Sequence, residues 1–200
     1  MNKTKLILEL YDRYNIQDKE IITRRLEQAL ELAKAKGISV TKRKALPACT
    51  GRTWHAVASW FREGKQVPLV DLCKLSEHLQ YNVFAFLETG DFYKCNDFHN
   101  YHHPNAARIF LDAYNLQRIT PKDTIVDRVE NYYGTSDEML ARHSNERKLK
   151  VMEICNCNPQ TYYAWFNRSR PNVKIPMIEL CKLADNAGVE VFEFFRALDQ

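Results

Sequence analysis

Nothing in this 200-residue chain constrains its fold more than a stretch that occurs twice. Val67-Pro68-Leu69-Val70-Asp71-Leu72-Cys73-Lys74-Leu75 returns as Ile175-Pro176-Met177-Ile178-Glu179-Leu180-Cys181-Lys182-Leu183, at an offset of 108. At the same offset, Val83-Phe84-Ala85-Phe86 matches Val191-Phe192-Glu193-Phe194. Over residues 67–88, 8 of 22 positions are identical, where chance gives about one or two. Upstream, Trp60-Phe61 pairs with Trp165-Phe166 at offset 105, and Asp12-x-Tyr14-Asn15 with Asp112-x-Tyr114-Asn115 at offset 100. The offset grows by small insertions of the kind that loops absorb. The reading is an internal duplication, with a first module over 1–90, a linker over 91–104 and a second module over 105–200.

Each copy predicts short helices. Ile21, Ile22, Leu26, Ala29, Leu30 and Ala33 follow helical spacing, and Gly37 stops that segment. Pro68 and Pro176 stand where a helix starts, just ahead of the apolar positions of the repeated stretch. Val83-Phe84 and Val191-Phe192 open a last short helix that closes each core, and a helix is expected from Asn105 to Leu116 after the linker. Six Gly and seven Pro are few for the turns of a sandwich or barrel. The expected class is all-α. No apolar run approaches the ~18 residues of a membrane helix, and Leu6-Ile7-Leu8 is too short for a signal peptide. No membrane partner is expected. The six cysteines form no secreted framework, so reduced thiols are expected.

The net charge of +4 says little, but its distribution says more. Residues 42–65 hold Lys42, Arg43, Lys44, Arg52, Arg62 and Lys65 against Glu63 alone. Residues 147–174 hold Arg147, Lys148, Lys150, Arg168, Arg170 and Lys174 against Glu153 alone. Each island carries +5, so the remaining residues carry 4 − 10 = −6. Two basic islands at equivalent places in an acidic body suggest contact with a polyanion.

Each island contains a turn signal. Gly51 and Asn156 align, and Gly and Asn are the residues that most easily take left-handed backbone angles. Two residues later come Thr53 and Asn158, both good N-caps, with Pro159 at the favoured first helical position. A helix ends, the chain turns through one left-handed residue, and a capped helix begins: a helix-turn-helix, written twice in different residues. On Gly51, Thr53, Val57, Trp60 and Pro68-x3-Leu72-x2-Leu75, and on Asn156, Asn158, Tyr162, Trp165 and Pro176-x3-Leu180-x2-Leu183, the chain resembles the phage-repressor-like (Cro-type, XRE) helix-turn-helix family. The resemblance covers about 45–55 residues in each copy. It implies two tandem repressor-like domains and recognition helices over Thr53–Arg62 and Asn158–Arg168 that lie in the DNA major groove.

The resemblance points Trp54, His55, Ala56 and Ser59 at base edges in the first copy, and Gln160, Thr161 and Tyr163 in the second. Gln160 can pair bidentately with adenine, while Thr161 and Ala56 can meet thymine methyls. Arg43, Lys44, Arg52, Lys148 and Lys150 would contact phosphate, Lys148 and Lys150 from the N-terminal side of the motif's first helix, with Arg62, Arg168 and Arg170 flanking the recognition helices. The implied function is sequence-specific binding of double-stranded DNA by a bacterial or phage transcriptional regulator, acting in the cytoplasm without a cofactor. Two departures stand out. Pro47 falls in the first helix of the motif, which predicts a short or kinked helix. Trp54 is an unusual groove residue, and exposed aromatics also mark protein interfaces. The alternative is therefore a protein-binding inhibitor, phage-encoded and directed at a host nucleic-acid-handling or defence complex; the partner could also be a second copy of the chain.

The other reactive side chains have plainer readings. Trp60 and Trp165 read as core anchors, and Cys73 and Cys181 as small buried hydrophobes. Cys155-x-Cys157 straddles the second turn, where the first copy has Thr50 and Arg52. Cys95, His99, His102 and His103 in the linker could bind a soft metal, but their spacing matches no standard finger, and no metal is expected. There is no phosphate loop, no His-Glu-x-x-His and no Gly-x-Ser-x-Gly, and no enzyme is expected.

Overall fold

The computed structural model describes residues 2–88, 105–134 and 140–197. Their regular structure is entirely helical, with no strand among the described residues. The chain divides into two compact units, Glu9–Leu111 and Met1–Leu8 with Asp112–Gln200. The linker expected over 91–104, with Cys95, His99, His102 and His103, lies outside the described residues.

The Glu9–Leu111 unit takes the end of α1 (Lys3–Ile16), then α2 (Lys19–Ala35), α3 (Ala45–Thr50), α4 (Trp54–Arg62), α5 (Leu69–Leu79) and α6 (Val83–Leu87). Asp18 starts α2 by accepting from the Glu20 amide at 2.8 Å, and Gly37 at φ 78 follows its end. Between them Ile22, Leu26, Ala29, Leu30 and Ala33 face inward as the spacing predicts. Helix α2 packs on α5 and α6, and α3 lies on α5 and α4. Arg25 shares the buried face of α2. Its guanidinium donates to the Ala85 carbonyl of α6 at 2.6 Å, so the cation ties the closing helix to α2. Asn82 caps α6 through the Phe84 amide at 3.1 Å.

The second unit takes the start of α1, most of α7 (Ala106–Ile119), then α8 (Lys122–Tyr133), α9 (Leu140–Cys155), α10 (Pro159–Phe166), α11 (Met177–Ala187) and a 3-10 helix at Val191–Phe195. Helix α11 packs on α8, α9 and the 3-10 helix, and α9 on α10. The repeat reads residues 1–8 as part of the first module, yet they group with Asp112–Gln200. The reason is a clasp. Glu190 accepts the Lys3 and Thr4 amides at 3.2 and 3.1 Å, both orphan donors at the start of α1. The fully buried Thr4 hydroxyl in turn accepts the Val191 amide at 2.7 Å, starting the 3-10 helix.

Two lysines brace the same unit. Lys122 Nζ donates to the carbonyls of Ala164, Asn167 and Arg170 at 3.0, 2.7 and 3.0 Å, where α10 ends. Lys174 Nζ donates to those of Gln117, Arg118 and Thr120 at 2.7, 3.1 and 2.6 Å, where α7 ends. Both satisfy terminal carbonyls and favour the negative end of a helix dipole. Leaving water lowers the pKa of each lysine.

Each unit also holds a tyrosine hydroxyl inward. Tyr14 donates to the Val67 carbonyl, and Tyr133 to the Leu183 carbonyl at 2.6 Å. Burial pushes both phenols from 10 up to about 12, helped by the charge of Asp71 for Tyr14. A folded pKa above the unfolded one means stability that is fully present below pH 10 and lost as pH rises toward 12. The Tyr14→Phe/Tyr133→Phe variant should therefore lose less stability than the wild type on going from pH 9 to 11.5, read from urea midpoints. Parallel curves for the two proteins would refute this.

Candidate nucleic-acid interface

Both turns form with the expected local chemistry. Gly51 sits at φ 73 and Asn156 at φ 47, each directly after a helix. A Cβ added at Gly51 would meet nothing within 4 Å, so the constraint there is torsional alone. Thr53 caps α4 by accepting the Ala56 amide at 3.3 Å, and Asn158 caps α10 by accepting the Thr161 amide at 2.8 Å. Val57, Trp60, Tyr162 and Trp165 are buried beneath them.

Pro47 does not kink its helix. Lys44 is the N-cap of α3, so Pro47 is its third residue, where a backbone N–H has no intrahelical partner to lose. The helix is short instead, 6 residues, against 16 in α9. That difference moves the basic residues. Arg43 and Lys44 precede α3, whereas Lys148 and Lys150 lie in the C-terminal half of α9, not at the N-terminal side expected of them. Helix α10 is also shorter than the Asn158–Arg168 span expected of it. It ends at Phe166, because the three carbonyls held by Lys122 bend the chain away, and Arg168 and Arg170 lie in the following turn.

Half of each basic island is used inside the molecule. In the first, Arg52 Nε pairs with the fully buried Asp71 at 2.8 Å, Lys42 with Glu27 at 3.4 Å and Lys65 with Glu63 at 2.7 Å. Arg43, Lys44 and Arg62 have no acid partner among the described residues. Arg43 and Arg62 instead converge on one ring, their guanidinium carbons 5.7 and 6.0 Å from the Trp54 centroid. His55 is exposed beside it, and the Ser59 hydroxyl donates back to the Ala56 carbonyl at 2.7 Å.

In the second island, Arg168 pairs with Asp127 at 2.6 Å and Glu130 at 3.0 Å, which raises its pKa. Arg147 pairs with Glu130 at 3.1 Å, and Lys174 holds carbonyls. Lys148, Lys150 and Arg170 are left without an acid partner among the described residues. Lys148 Nζ lies 4.5 Å over the Tyr163 ring and donates to its hydroxyl at 2.9 Å. Lys150 lies 5.4 Å over Tyr133. Gln160 is exposed in the first turn of α10, with Thr161 half-buried next to it. Tyr163 is 57% exposed and Leu149, between the two lysines, 63%.

The thiols around the second turn are not set up as nucleophiles. Burial, then the Glu179 carboxylate, raises the pKa of both Cys155 and Cys157. No cluster of metal-ligating side chains occurs among the described residues, and no helix there is long and apolar enough to cross a membrane. Sequence reasoning missed Asp71 as the anchor of Arg52, and Asp127 and Glu130 as anchors of Arg168. Asp71 and Glu179 stand at equivalent positions of the repeat, a signal that the turn above them has an acid beneath it. No family model matches this chain, and neither a curated protein nor a solved structure is similar to it.

Proposed function

We propose that the chain is a tandem duplication of a repressor-like helix-turn-helix module that binds double-stranded DNA sequence-specifically, as a cytoplasmic transcriptional regulator of bacterial or phage type. One observation carries this reading. In each unit a left-handed residue and a capping side chain launch a short helix, and cations without acid partners rest on an aromatic ring of that helix. A capped helix that presents polar side chains between unpaired cations suits a groove lined by phosphates. The free cations Arg43, Lys44, Arg62, Lys148, Lys150 and Arg170 hold the backbone, and Gln160 and Thr161 face base edges. The binding mode needs no cofactor and no catalysis.

The experiment separates grip from reading. Lys148→Ala/Lys150→Ala should weaken binding to all duplexes alike and reduce the salt slope by roughly one unit per contact. Gln160→Ala should cost about 1–3 kcal/mol on the preferred site and leave other duplexes nearly unaffected. Sequence preference that survives Gln160→Ala but not the lysine changes would show the wrong reading helix. The exposed side chains of Leu149 and Tyr163 favour a second reading, an inhibitor that binds a protein. Loss of a protein complex on Leu149→Ser, in a chain with no duplex affinity, would establish it.

A further inference from the structure

We infer that contact with the duplex comes from both units but sequence is read by only one, the unit holding Asp112–Gln200. This rests on the duplex-binding reading above and deepens it. Setting aside Lys174, which is held by three carbonyls, each unit keeps three island cations free of acid partners, so phosphate grip is balanced: Arg43, Lys44 and Arg62 against Lys148, Lys150 and Arg170. What differs is the chemistry at the helix start. Base-pair discrimination in the major groove needs a side chain that presents donor and acceptor together, or a forked donor, to a base edge. In α10 the exposed amide of Gln160 does so, with the Thr161 methyl beside it.

The corresponding surface of α4 has no such group. Trp54 offers one N–H donor and no acceptor, and two guanidiniums crowd its ring. Ala56 has no polar atom, and the Ser59 proton is committed to the Ala56 carbonyl. His55 is left as the one polar side chain free to point outward, a single-point contact at best. The forked donors on this unit, Arg43 and Arg62, are both held at the Trp54 indole, 5.7 and 6.0 Å from its centroid, so they are committed to that ring and left to meet phosphate at its edge. The Glu9–Leu111 unit is thus a sequence-blind clamp, and the unit holding Asp112–Gln200 is the reader.

Selection of bound duplexes from a random pool, with the full chain and its variants, tests this. The wild type should return one conserved block. Gln160→Ala should relax that block at the one or two base pairs it reads, while His55→Ala should leave the block unchanged. Arg43→Ala/Arg62→Ala should weaken every duplex tenfold or more, reduce the salt slope by about two and keep the same block. Circular dichroism establishes that each variant is folded. A second conserved block that disappears with His55→Ala overturns the inference while upholding duplex binding. A wild-type chain that retains no duplex even at low salt overturns both readings together.

Discussion

Removing residues 2–8 is expected to unfold the Asp112–Gln200 unit while Glu9–Leu111 keeps its fold. Leu6 and Ile7 are 2% and 0% exposed, and both belong to the unit that would lose them. Burying two such side chains contributes about 3–6 kcal/mol, and leaving the Val191 amide without the Thr4 hydroxyl costs about 1–3 kcal/mol more. The total is comparable to the whole stability of a small domain, about 5–15 kcal/mol. Hydrogen exchange should show protection lost in Met177–Ala187 and Lys122–Tyr133 but retained in Leu69–Leu79. Equal protection across all three helices would refute the clasp as a determinant. Thr4→Val keeps the shape and should cost only the hydrogen-bond part.

Lys122→Met is the second large effect. It fills the stem's space but takes the ammonium away from three carbonyls at and after the end of α10, of which those of Asn167 and Arg170 keep the Arg170 and Val173 amides. The expected loss is about 1–3 kcal/mol, the worth of charge-assisted hydrogen bonds at a half-buried helix end. Lys122→Arg should not restore it. A planar fork cannot place three donors toward three separate carbonyls as an ammonium does. Urea midpoints read the stability, and exchange at 164–170 reads the fraying. Both variants matching the wild type would show that Lys122 is incidental to the end of α10.

These effects also separate what the sequence states from what it conceals. Gly51, Thr53, Asn156 and Asn158 were legible because a left-handed angle or an N-cap is decided within three residues. The inward faces of α2, α5 and α11 were legible because a period of 3.6 is local too. Arg25, Lys122 and Lys174 were not, since each finds its carbonyls 42–60 residues away. A lysine's flexible stem gives no sign in sequence of whether its ammonium ends in water or on a helix terminus. The same blindness inflated the basic islands: Arg52 and Arg168 read as free cations until Asp71, Asp127 and Glu130 were placed beside them. The length of α10 was misjudged for a related reason, because Lys122 gathers carbonyls at its end from 42–48 residues away.

The clasp between Thr4 and Glu190 joins residues 186 positions apart. A ribosome adds about 5–20 residues per second, so Thr4 emerges roughly 10–40 s before its partner exists. Once Leu111 has emerged, the Glu9–Leu111 unit has all its own residues and can fold, while Leu6 and Ile7 remain uncovered ahead of it. The second unit can be completed only when Val191 leaves the exit tunnel. Premature termination between Leu111 and Val191 therefore leaves a folded first unit carrying an exposed apolar helix end, the type of surface that chaperones and proteases recognise.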